Sequence, residues 1–113
     1  MNNLKNINNE LVINEQRIDS WLFRSRIIKS RAKAQKIIFD GFVKVNKLKI
    51  SKSSIKVKLG DIITLNKIDN IIIFSVESFA NKRLSAKEAV KLYKEIKIVW
   101  GIKINDKIFK KTI

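Results

Sequence analysis

Residues 17–61 read RIDSWLFRSRIIKSRAKAQKIIFDGFVKVNKLKISKSSIKVKLGD. Within this stretch the spacing of apolar residues changes from helical to alternating, and that change decides the fold. Ile18, Trp21 and Leu22 stand at i, i+3 and i+4, the stripe of a short amphipathic helix starting near Arg17–Asp19. Asp19 falls in its first turn, where a carboxylate suits the helix dipole. Trp21 lies on the apolar stripe and reads as a core residue rather than a platform for stacking a base.

A second helix follows. Ser30 is a good N-cap, Ala34, Ile37 and Ile38 form the buried stripe, and Gly41 stands where a C′ glycine ends a helix. Arg31 and Gln35, one turn apart, border that stripe at the seam with neighbouring elements, whereas Lys33 and Lys36 project further into solvent. Beyond Gly41 the period becomes two. Val43 and Val45 alternate with Lys44 and Asn46, and Leu48 and Ile50 with Lys47 and Lys49. Asn46-Lys47 marks a tight turn without the usual glycine. Ile55, Val57 and Leu59 alternate with Lys56 and Lys58; after the Gly60-Asp61 turn come strands at Ile62–Leu65 and Ile71–Ser78. The expectation is an α+β domain: two short helices on a small, mostly antiparallel sheet with one apolar and one lysine face.

Outside this core, residues 1–14 are Asn-rich and aperiodic, a loose lead-in to a domain over residues 15–80. Residues 81–113 add a helix and a short basic tail packed on the same domain. Ser85-Ala86-Lys87-Glu88 is a capping box. It predicts a helix to about Lys97, with Ala89, Leu92, Tyr93 and Ile96 inward and Lys87, Lys91 and Lys94 along another side. The last residues, Ile98–Ile113, alternate weakly around Asn105-Asp106 as a hairpin would.

The chain's charge is concentrated. Of a net +15, residues 20–60 carry +11: twelve Lys/Arg against the single acid Asp40. Lys, Ile and Asn supply 52 of the 113 residues, a bias that AT-rich coding would produce and that inflates lysine without function. Arginine runs against that bias. Four of the five arginines (Arg17, Arg24, Arg26, Arg31) fall within fifteen residues, so the cluster calls for a polyanionic partner. A face of this kind also holds DNA non-specifically.

Catalysis finds little to work with. The chain has no His and no Cys, which removes the commonest general base, the commonest metal ligand and any disulfide. No phosphate-cradling loop or nucleophile motif is present, and Asp19, Asp40 and Asp61 each have a local task at a helix end or turn. The sequence therefore predicts a non-enzymatic protein without cofactor or metal. No segment approaches a membrane span or a signal sequence, so a cytoplasmic protein is expected. The absence of a long basic amphipathic helix argues against membrane-surface binding, and nothing in the pattern demands a partner chain.

The order helix–loop–helix–strand is expected to gather Arg26, Lys29, Ser30, Arg31, Gln35, Lys44 and Asn46 into one concave patch, with Lys82 and Arg83 as secondary contacts. Cations supply sequence-independent affinity by releasing counterions, and the amino end of the second helix adds free N–H groups suited to phosphate. With no helix of the DNA-groove type, structured RNA recognised by shape is the better partner. Reversing Arg31 to Glu is then expected to weaken RNA binding more than reversing Lys33, at equal thermal stability.

Four motifs, R-x-D-x-W-L (17–22), K-S-R-x-x-A-Q (29–35), G-x-V-x-V-N (41–46) and G-D-x-I (60–63), together resemble the RNA-binding module of ribosomal protein S-four, the alpha-L motif. Further on, Ile71–Val76, then N-K-R-L-S-A-K-E-A (81–89) and L-Y-K-E (92–95), are similar to the segment after this module in the ribosome-associated heat shock protein 15 family. The resemblance implies a factor that binds large ribosomal subunits carrying peptidyl-tRNA after failed translation and helps to rescue or recycle them. Its partners would be large-subunit rRNA and, as a second contact, peptidyl-tRNA. The family's longer basic tail has no counterpart in the last fifteen residues. Rival readings are a related small factor for nascent-chain tailing or large-subunit assembly, and an accessory piece of an RNA-modifying enzyme.

Overall fold

The structure, a computed structural model, describes residues 13–100, so most of the lead-in and everything after Trp100 lie outside the described residues. The element order is β1 (Glu15–Arg17), α1 (Ile18–Arg24), α2 (Arg31–Phe39), β2 (Val43–Val45), β3 (Leu48–Lys49), β4 (Lys56–Lys58), β5 (Ile62–Asn66), β6 (Asn70–Val76), α3 (Ala86–Ala89) and β7 (Tyr93–Trp100), with a 3₁₀ turn at Val90–Leu92 between the last two. The α+β class is observed. Five strands make one antiparallel sheet in the order β3-β2-β5-β6-β7. The expected single sheet is in fact two, because β4 pairs with β1 in a separate ribbon, Gln16 opposite Val57.

The punctuation of α2 follows from its sequence. The Ser30 hydroxyl accepts the Lys33 N–H at 3.0 Å, and Gly41, at φ +86°, takes the left-handed conformation that closes the helix. The Asn46-Lys47 turn forms with both residues at positive φ (51° and 74°), the geometry of a type I′ hairpin. Asn tolerates that region well; Lys47 occupies it at a cost of about 1–2 kcal/mol.

The core lies where both helices meet the inward face of the sheet. Ile18, Trp21, Leu22, Ala34 and Ile38 from the helices are fully buried against Val43, Ile63, Leu65, Phe74 and Val76. Each large side chain among them contributes about 1.5–3 kcal/mol of burial. Trp21 is a core residue with no exposed surface, its indole N–H donating to the Ser78 carbonyl at 3.1 Å. Two strand-pattern positions expected inside are not. Leu48, on the two-residue edge strand β3, is 72% exposed, and Leu59, at the turn after β4, is 57% exposed.

The third helix is also shorter than its capping box predicts. Ser85 does cap it, accepting the Glu88 N–H, but the α-helix stops at Ala89 and Tyr93–Trp100 is strand β7. Tertiary pairing overrides the helical spacing here. The eight residues of β7 cover the edge that β6 would otherwise expose, with Ile72 opposite Ile98 and Val76 opposite Tyr93. Tyr93 packs edge-to-face on Phe74 with ring centroids 5.1 Å apart. Ala89 and Leu92 face inward as expected, whereas Ile96 is exposed.

Candidate nucleic-acid interface

α2 presents three kinds of surface. Ala34 and Ile38 face the core, and Lys36 projects outward to pair with Asp40. Helical periodicity then sends Arg31 with Gln35 to one flank, and Lys33 with Ile37 to the opposite flank.

The Arg31/Gln35 flank is organised by a buried carboxylate. Asp19 is fully buried at the start of α1. It accepts the Arg17 guanidinium at 3.1 and 3.0 Å, the Ser20 N–H at 2.7 Å and the Gln35 amide at 2.9 Å, with Arg31 Nε at 3.5 Å. Burial by itself raises the pKa of such a carboxyl. The hydrogen bonds from Gln35, Arg17 and the Ser20 N–H, with the Arg17 charge, outweigh it and hold Asp19 below its ordinary value. Arg17 and Arg31 remain 41% and 47% exposed, so each guanidinium is oriented from below and open to an anion from above.

Arg26 and Arg83 serve the connection between α1 and α2. Arg26 sits in the left-handed region at φ +63° and its guanidinium donates to the Leu84 carbonyl. Arg83 lies over the Phe23 ring at 4.6 Å and donates to the carbonyls of Phe23 (3.1 Å) and Lys29 (3.3 Å). These bonds pin the loop that carries Lys29 and Ser30 to the 81–85 segment. Lys82, beside Arg83, is exposed.

The expected single patch is divided. Lys29, Ser30, Arg31 and Gln35 come together at the amino half of α2, with Arg26 and Arg83 behind them. Lys44 alternates with the inward-facing Val43 and Val45, so it belongs to the sheet face away from the helices, in register with Lys49 and Thr64. Asn46 lies at the far end of β2. Its amide donates to Asp61 at 3.1 Å and accepts the Ile62 N–H at 2.9 Å, a clamp across the strand turn.

In the sequence Asp19 reads only as a helix-dipole carboxylate; in the structure it is the hub beneath Arg31 and Gln35. The R-x-D spacing held a signal, since a carboxylate beside an apolar stripe needs partners when buried. No signal pointed to Gln16, which is buried and donates to the Ala80 carbonyl at 2.8 Å, or to Arg24, which reaches the same carbonyl at 3.0 Å. Among the described residues no group of acidic side chains is placed to hold a metal, and no helix is long and apolar enough to cross a membrane.

Two short helices on an antiparallel sheet, the second capped by Ser30 and carrying cations at its amino end, define an RNA-binding domain of the S4 class. The S4 domain profile matches residues 16–63. Beyond that domain, the chain is similar to heat shock protein 15 of Vibrio cholerae, a protein solved as a trimer. The two are 34% identical with a TM-score of 0.67, over 73% of this chain and 82% of that one. The chain belongs to the heat shock protein 15 family of S4-domain proteins. It is also similar to small ribosomal subunit protein uS4 of Phytoplasma mali (strain AT), 32% identical over 95 residues that make up 82% of this chain and 47% of that protein. The uS4 protein of Rhodopseudomonas palustris (strain BisA53) is 33% identical over 64 residues, 57% of this chain and 31% of that protein. The chain thus spans less than half the length of these two ribosomal proteins.

Proposed function

We propose that this protein is a non-enzymatic factor that binds the large ribosomal subunit and acts in rescue or recycling of stalled subunits carrying peptidyl-tRNA. The observation that carries this reading is the amino half of α2. There Lys29, Ser30, Arg31 and Gln35 stand together, and the last two are held by a buried carboxylate rather than free in solvent. Pre-oriented cations lose less entropy on binding phosphate than free lysines do. In this reading Lys29, Arg31 and Gln35 contact rRNA backbone, and Ser30, whose oxygen caps the Lys33 N–H, offers its hydroxyl hydrogen to phosphate or a 2′-OH. Arg26, Lys82 and Arg83 flank them toward the 81–85 segment, while Lys44 and the neutral Asn46 offer further polar contacts on the far side of the sheet.

Likeness to heat shock protein 15 continues past the S4 domain, which favours the large-subunit rescue role over an isolated RNA-binding fragment. A factor of this kind works in the cytoplasm and needs neither cofactor nor metal. The similarity of most of the chain to uS4 supports a second reading, contact with small-subunit RNA.

Gradient cosedimentation separates them. The particles are empty large subunits, large subunits with peptidyl-tRNA, small subunits and whole ribosomes, each at two salt concentrations. Salt-resistant preference for the loaded large subunit is the expected result. Preference for the small subunit selects the second reading, and equal binding that vanishes at the higher salt leaves charge alone.

A further inference from the structure

The opposite flank of α2, where Lys33 and Ile37 point, opens into a cleft of about 660 Å³ that, of the RNA-binding residues above, only Lys29 reaches. Its size falls within the roughly 300–1,000 Å³ of clefts that hold small organic groups. The walls are apolar: Ile27, Ile28 and Ile37 on the helical side, Phe42 and Leu65 on the sheet side. Phe42 is 47% exposed, and Ile68, at the tip of the β5–β6 turn, makes no use of its side chain inside the fold, being fully exposed. An aromatic face and an exposed aliphatic chain at the mouth of an apolar cleft are unfavourable in water unless something covers them.

The rim narrows what that occupant is. Lys29, Lys33 and Lys67 stand around the cleft against one acid, Asp69, so the mouth is cationic while the interior is not. Asn66 and Asp69 add a donor and acceptors at the same edge. A flat apolar ring carrying hydrogen-bonding groups on its edge and a phosphate on its tether fits this pattern. That is an unstacked nucleobase. Continuity supports it too, because Lys29 belongs both to the rim and to the phosphate-facing end of α2.

We infer that the cleft between α2 and the β5–β6 turn receives one unpaired nucleotide of the bound RNA, with the base against Phe42 and Ile68 and its phosphates on Lys29 and Lys33. This rests on the RNA-binding reading and adds to it a preference for RNA in which a base is available outside a helix. An unpaired base enters without the unstacking cost that a paired one carries.

The test uses the full chain and two RNA hairpins, one continuous and one with a single bulged 2-aminopurine. Binding is followed by competition, and base burial by the fluorescence of the 2-aminopurine. The bulged hairpin is expected to bind roughly five-fold or more tightly, the lower end of what one stacked base contributes. Phe42→Ala and Ile68→Ser should each remove that preference and the fluorescence change, with affinity for the continuous hairpin retained. Ile68→Ser guards against a folding defect, since the side chain packs on nothing. Equal affinity for both hairpins, or a preference that survives both substitutions, overturns the inference and leaves RNA binding intact. Binding of an acidic amphipathic peptide in the cleft, with bulge discrimination unchanged in the variants, overturns it as well. No binding to either hairpin overturns the RNA reading itself.

Discussion

The Gln35 amide donates to the buried Asp19 carboxylate at 2.9 Å, so a side chain of the candidate RNA-binding face is anchored on a charge at the base of the neighbouring helix. The contact joins residues sixteen apart in sequence. It makes the orientation of the interface depend on the packing of α1 against α2.

Asp19 should therefore govern stability and binding together. Replacing Asp19 with Asn removes the charge that Arg17, Arg31 and Gln35 converge on, and is expected to cost about 1.5–3 kcal/mol. The pH dependence has a definite sign. The folded-state pKa of Asp19 is lowered from 3.8, so its contribution is complete above that value and is lost as pH falls below it through the folded-state pKa. Thermal melts from pH 6 down to about pH 2 should show the wild type losing stability more steeply than Asp19→Asn at the acid end.

Arg31 and Lys33 offer a sharper contrast than the sequence predicts. Sequence reasoning expects Arg31→Glu and Lys33→Glu to leave equal thermal stability. The structure places Arg31 Nε 3.5 Å from Asp19, so Arg31→Glu sets a carboxylate beside a buried one, whereas Lys33 is exposed on the other flank. Arg31→Glu should lower stability by about 1–2 kcal/mol, and Lys33→Glu by less than about 0.5 kcal/mol. Denaturant titration of the two variants, beside RNA affinity, separates the structural from the binding contribution of Arg31.

Arg83 should behave as a strut. Its guanidinium spans the Phe23 ring and the carbonyls of Phe23 and Lys29, a geometry that a single ammonium does not reproduce. Arg83→Ala is expected to cost about 1–2 kcal/mol, with Arg83→Lys recovering little of it. The neighbouring Lys82→Ala should leave the melting temperature unchanged. Equal melting temperatures for all three variants would show that the strut carries no load.

Much of this was readable from residue order. The Ser30 cap, the Gly41 stop, the switch to alternation at Val43 and the Asn46-Lys47 turn all rest on contacts within a few residues, where local chemistry dominates. What escaped depends on distant partners. Leu92, Tyr93 and Ile96 are spaced for a helix, but the open edge of β6 draws Tyr93–Trp100 into the sheet. The ribbon of β1 and β4 joins residues some forty apart, which no local pattern encodes. Of the site, the amino half of α2 was legible as a cluster. The direction of Lys44 and the engagement of Asn46 with Asp61 and Ile62 required the strand register.

If the amino half of α2 rather than charge at large binds RNA, losses of charge at different places have unequal effects. The most direct test removes equal charge from two places. Lys29→Gln with Arg31→Gln strips the helix end; Lys94→Gln with Lys97→Gln strips the exposed edge strand β7. The affinity of each for large-subunit RNA is then measured across a range of salt. The helix-end pair should lower the slope of log affinity against log salt by roughly 1.4, two phosphate contacts' worth, and the sheet pair should leave it close to wild type. Equal losses from both pairs would contradict the claim and reduce the interface to diffuse charge.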